Sequence, residues 1–145
     1  MIAIDTNIII RYLWQDDKAQ AALAVKLIDG RQQVLIADIA LIECIWVLSG
    51  KKYNLNKESI LMALSSLIQH KNIIFENKKA VWTAFNLYKN SQAVKVGAKK
   101  KDLDFADALI LEKSRAVINE QGQPFNGLYS FDKAAQQLKE IKTPK

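Results

Sequence analysis

Apolar residues in this chain fall in short runs separated by longer stretches with helical spacing. Ile2, Ala3 and Ile4 form a continuous apolar triplet that stops at Asp5, the pattern of a short buried strand. Residues 6–14 then carry Ile8, Ile9, Tyr12 and Leu13 on one helical face. Residues 18–28 repeat that period through Ala21, Ala22, Val25 and Ile28, and Gly30 stops it. The same reading predicts strands at 34–37, 73–75 and 128–130. It predicts helices at 40–48, 57–68, 78–90, 105–118 and 133–141, with Asn56 as the N-cap of the second of these. The stretch 91–101 reads as a loop.

Strands that alternate with helices predict an α/β fold with a mostly parallel sheet covered on both faces. With 145 residues, five glycines and two prolines, the chain is expected to be a single domain, 1–145, without long linkers. In open sheets of this kind, sites form beyond the carboxyl ends of the strands. Asp5 and Asp132 both follow strands, so two acids far apart in sequence become candidate neighbours.

Composition changes this picture little. One cysteine, Cys44, cannot form an internal disulfide, which suits a reducing compartment. No apolar run approaches the ~20 residues of a membrane helix, and Asp5 interrupts any secretory leader at the start, so a soluble cytoplasmic protein without membrane contact is expected. Net charge is +6, which favours a polyanionic partner only if the chemistry independently points to phosphate.

That chemistry rests on five acids, Asp5, Glu43, Asp104, Asp107 and Asp132. Each has a plainer reading. Asp5, Asp104 and Asp132 can all serve as helix N-caps, and Asp107 sits in a first turn where the helix dipole favours an anion. Asp104 and Asp107, three apart, face the same side of their helix. Capping needs only one of them, which leaves Asp107 the stronger ligand candidate and Asp104 a cap or a ligand. Glu43 is flanked by Leu41-Ile42 and Cys44-Ile45-Trp46, which predicts a buried carboxylate needing a partner; the alternative is a helix edge facing water. As a set, clustered carboxylates repel one another, and a divalent cation relieves that repulsion. Oxygen-only ligands favour Mg²⁺ or Mn²⁺ over zinc. Thr6, Asn7 and Ser130 are placed to orient a carboxylate or a bound water.

At these residues the sequence resembles the PIN-domain family, and within it the VapC type, the toxin half of bacterial type II toxin–antitoxin pairs. The resemblance is carried by Ile4-Asp5-Thr6-Asn7 with Arg11-Tyr12-Leu13, and by Glu43 with Trp46-Val47-Leu48 and Tyr53. It continues through Asp104-Phe105-Ala106-Asp107-Ala108-Leu109 and Ser130-Phe131-Asp132-Lys133. It implies a three-layer α/β/α sandwich with a central, mostly parallel sheet and metal-dependent endoribonuclease activity. Asp5, Glu43, Asp107 and Asp132 would be the catalytic metal-site acids, with Asp104 at an often acidic position beside them. It also implies a homodimer restrained by a small antitoxin protein. One departure stands out: the family often reads Gly-Ala-Asp-Phe-Ala-Asp, whereas here Lys99-Lys100-Lys101-Asp102-Leu103 separates Gly97-Ala98 from Asp104. Those three lysines, with Arg11, are candidates for contact with an RNA backbone; a solvated loop is the alternative. The competing functions are a catalytically silent PIN-like module that binds RNA or protein, and a phosphotransfer protein. Asn7 stands where a haloacid-type phosphatase needs a second Asp, and no phosphate-binding Gly-rich loop or nucleophile elbow is present.

Overall fold

The computed structural model describes all 145 residues, and the chain divides into two compact units, Met1–Lys78 and Lys79–Lys145. The first is built on three short parallel strands: β1 (Ile2–Ala3), β2 (Val34–Ile36) and β3 (Ile73–Phe75), in that spatial order. Ile2 lies opposite Val34, and Val34 in turn opposite Ile73. Parallel neighbours need a crossover. It is supplied by α1 (Thr6–Trp14) with α2 (Lys18–Ile28), and then by α3 (Asp38–Ser49) with α4 (Lys57–Gln69). Val34, Ile36, Ile73 and Phe75 are buried, while Leu35 and Ile74 between them are half-buried. Ile9, Ala24, Ile28, Leu41, Leu48 and Leu64 complete this core from the helices.

Local chemistry starts α1, α2 and α4 where the pattern placed them, while α3 begins two residues earlier than expected. Asp5, Asp17 and Asn56 each accept a backbone N–H bond as N-caps of α1, α2 and α4. The N-cap of α3, Ala37, has no side chain able to do this. There the Glu76 carboxylate, just past β3, accepts the Asp38 N–H at 2.6 Å.

The second unit holds α5 (Lys78–Asn90, begun at the boundary), β4 (Val94–Val96), β5 (Lys99–Lys101), α6 (Phe105–Glu120), β6 (Leu128–Tyr129) and β7 (Ile141–Lys142). Two sequence expectations are corrected here. The stretch read as a loop is an antiparallel hairpin, β4 with β5, turning at Gly97, whose φ of +62° a glycine adopts without strain. The helix expected at 133–141 is a single 3₁₀ turn, Ala135–Gln137, followed by β7. Ala134, Leu138 and Ile141 do recur at helical spacing and all three are buried. Ile141, however, pairs with Leu128 in a parallel ladder, so the chain is extended at its end. Arg115 of α6 fixes it there through a two-pronged contact with Glu140, at 2.7 and 2.5 Å. The fold is thus mixed α/β, with six helices and a parallel sheet.

Candidate acidic site

In the first unit, Asp5 follows β1 and is exposed, and its Oδ1 accepts the Ile8 N–H at 3.2 Å. Capping and a ligand role are compatible, because a carboxylate has acceptor capacity beyond one oxygen. Thr6 beside it is buried, whereas Asn7 is exposed. Asp5, Asn7, Ile8, Arg11, Gln20 and Leu23 line an open depression of about 420 Å³. Arg11 is already engaged: its guanidinium donates to Gln20 at 2.6 Å and to Asp16 at 2.8 Å. The Tyr53 hydroxyl also donates to Asp16, at 3.1 Å. Arg11 therefore both borders the Asp5 depression and pairs with a nearby acid. Gln20 and Leu23, which complete the wall, belong to α2 and no motif in the sequence marks them.

Glu43 is exposed on α3, not buried. The expectation failed because the apolar residues around it are themselves partly uncovered: Ile39 is 76% exposed and Trp46 56%. Ile39, Glu43 and Trp46 follow one another at helical spacing, so the acid lies within an apolar outer stripe. Its neighbour Cys44 is 1% exposed, and burial first, then the Glu43 charge, pushes its thiol up to about 12.

In the second unit the acids interact. Asp104 caps α6, its Oδ1 accepting the Ala106 N–H at 2.9 Å. Asp107 lies one turn on, half-buried. Its carboxyl is held above the ordinary carboxylate range, first by burial and then by the charges of Asp104 and Asp132. Asp132 follows β6, and its Oδ1 accepts the Ala135 N–H at 3.0 Å. The Ser130 hydroxyl accepts the Asp132 N–H at 3.0 Å, so it orients the backbone of the acid rather than its carboxylate. The other oxygen of Asp132 is held by the Lys101 ammonium in an ion pair. Lys99 and Lys100 are exposed on the same strand.

The charges show what this second-unit arrangement accommodates. Lys101 is held above its ordinary range, first by its bond to Asp132, with Asp107 and Asp104 adding to the effect. Asp132 is correspondingly held low, chiefly by Lys101. Three carboxylates thus act on one cationic group, and their donors are all oxygen, the set that suits a hard divalent ion. The donor type suits such an ion, but the grouping does not. No three His, Cys, Asp or Glu side chains are grouped to hold a metal ion; Asp104 and Asp132 accept backbone N–H bonds, and Asp132 also pairs with Lys101.

In the parallel α/β sheet of the first unit, Asp5 stands just beyond the end of β1, where ligands bind in open sheets of this kind. The sequence model of the PIN domain matches residues 2–117. The chain belongs to the PIN domain family, whose members are generally nucleases and typically use divalent metal ions. The match takes in Asp5, Glu43, Asp104 and Asp107 and ends before Ser130 and Asp132. No curated protein matches the chain significantly.

Proposed function

We propose that this protein is a Mg²⁺- or Mn²⁺-dependent endoribonuclease and the toxin of a toxin–antitoxin pair. The observation that carries the reading is the match to a nuclease family over residues that include Asp5, Glu43, Asp104 and Asp107, with Asp132 paired to the Lys101 ammonium. In this reading Asp5, Glu43, Asp107 and Asp132 are the metal-holding catalytic acids, and Asp104 joins them or remains the cap of α6. When bound, the ion supplies a water that is nucleophilic at neutral pH and positive charge for the phosphodiester oxygens. Ser130 sets the backbone of Asp132, and Asn7 with Thr6 sets the approach to Asp5. Arg11, Lys99, Lys100 and Lys101 supply the positive charge for the RNA backbone. The family match starts in the first unit and extends into the second as far as residue 117; in this reading 1–145 is one functional domain.

The test is cleavage of total cellular RNA by the purified chain with Mn²⁺ or Mg²⁺, with EDTA, and with Asp5→Asn. Asparagine caps a helix as well as aspartate does, so this variant removes a charge and keeps α1. Metal-dependent cleavage that the variant loses, with its melting temperature kept, is the expected result. Full turnover by Asp5→Asn would sink the assignment. The toxin role adds growth arrest on induced expression of the wild type but not of the variant. Growth unaffected by an RNA-cleaving wild type would leave the nuclease and remove the toxin. A catalytically silent module draws support from the carboxylates already engaged by caps and Lys101. It would be the outcome if folded protein bound RNA but did not cut it.

A further inference from the structure

His70, the one histidine of the chain, ends α4 as its C-cap, and its side chain is 15% exposed. Its two ring nitrogens face groups of opposite kind. Nδ1 accepts the backbone N–H of Asn72 at 3.1 Å. Nε2 lies 2.8 Å from Oδ1 of Asp29, at the end of α2. A backbone N–H can only donate, and an ionised carboxylate can only accept. One arrangement satisfies both contacts: a neutral ring with its proton on Nε2. The titratable groups that face the ring are Asp29 and, on α1, Tyr12. Tyr12 meets the ring edge-on with centroids 6.0 Å apart, and its hydroxyl donates to the same Asp29 oxygen at 3.3 Å. Burial first, and then the Asp29 charge, holds the Tyr12 hydroxyl above its ordinary range, so it stays a donor wherever a histidine titrates.

Asn72 carries this contact into the sheet. Its side-chain amide donates to the Ile28 and Gly30 carbonyls at 3.0 and 2.7 Å, and its own carbonyl accepts the Val34 N–H at 2.8 Å. The end of α2, the start of β2 and the approach to β3 thus meet at one residue, whose backbone N–H is held by His70.

We infer that His70 is a proton-operated latch at the amino end of the three-stranded sheet: the neutral ring holds the Asn72 N–H, and a proton on Nδ1 releases it. With both ring nitrogens protonated, both are donors. Two donors then face each other where the Asn72 bond stood, while Asp29 keeps its hold on Nε2 and gains an opposite charge. The ring therefore stays on the α2 side, and the latch opens on the β3 side. Histidine changes charge between about pH 5 and pH 8, so mild acid is the signal such a latch reads. Neither a metal ion nor RNA is required, so the latch is independent of the nuclease reading.

Proton–nitrogen NMR of the isotope-labelled full chain tests this, and the single imidazole makes the ring signals unambiguous. At about pH 8, long-range spectra are expected to show Nε2 protonated and Nδ1 bare. Titration to about pH 5 is expected to move the Asn72 amide resonance along the same curve as the ring. It should also speed hydrogen exchange at that amide about fivefold beyond its intrinsic pH dependence, the worth of one hydrogen bond. In His70→Gln, shown folded by thermal melting, the Asn72 amide no longer follows that curve. The wild-type titration decides the question even where that variant does not fold. A proton on Nδ1 in place of Nε2 at the alkaline end, a ring that stays neutral throughout, or an Asn72 amide indifferent to the ring would each overturn the latch.

Discussion

Asp5, Asp104 and Asp132 show how one residue type answers two demands. Each accepts a backbone N–H on Oδ1 at the start of a helix or turn, and the other oxygen of Asp132 pairs with Lys101. The sequence identified the five acids but could not separate cap from ligand, because both roles select the same side chain at the same helix start. Glu43 was read less well. Its apolar flanks indicated burial, yet Ile39 and Trp46 beside it are largely exposed. The buried environment of Cys44 makes a prediction at this scale. A thiol held near 12 is thiolate in only about one molecule in ten thousand at pH 8, and the thiolate is the reactive form. Iodoacetamide at pH 8 should therefore leave Cys44 unmodified in the folded protein and label it fully in denaturant, as read by intact mass. Rapid labelling under native conditions would show that α3 opens readily.

At the scale of elements, helices of strong apolar period were legible because their signals are local. The structure begins and ends α1, α2 and α5 at the residues the pattern indicated. The hairpin was not legible, since three consecutive lysines carry no inward–outward alternation. Only their pairing with Val94, Lys95 and Val96 makes them a strand. That hairpin presents Lys95, Lys99 and Lys100 to solvent. If they contact RNA, affinity for a single-stranded RNA falls linearly with salt on logarithmic axes, by about 0.7 in slope per phosphate contact. The double variant Lys99→Ala/Lys100→Ala should lower that slope by about 1.4. Unchanged affinity and slope would make the hairpin a solvated element with no part in binding RNA.

For the whole molecule, the net charge of +6 agrees with a polyanionic substrate without specifying one. No helix is long and apolar enough to cross a membrane. Several large apolar side chains remain exposed, among them Ile39, Trp46 and Met62 in the first unit and Phe131 in the second. Ile39 and Trp46, on the outer stripe of α3, are side chains that the homodimer implied by the family resemblance could cover. Sedimentation equilibrium of the purified chain at micromolar concentration should return twice the 16.4 kDa chain mass. A monomer there, and an unchanged mass in Trp46→Ser, would remove the homodimer and leave this surface to a different partner.

The sequence by itself determined the α/β class, the type and approximate bounds of most elements and the family, and it singled out the candidate acids. Those properties follow from periodicity, capping chemistry and motif order, all of which act over a few residues. Tertiary structure decided the rest. Ile141 became a strand residue because Leu128 offered it a ladder, although its spacing from Ala134 and Leu138 was helical. Glu43 became exposed because the outer stripe of α3 is only partly covered. Lys101, 31 residues from Asp132, became its counter-charge because folding brought ammonium and carboxylate together. Pairing, cover and electrostatic proximity depend on distances in space, and spacing along the chain carries no direct record of them.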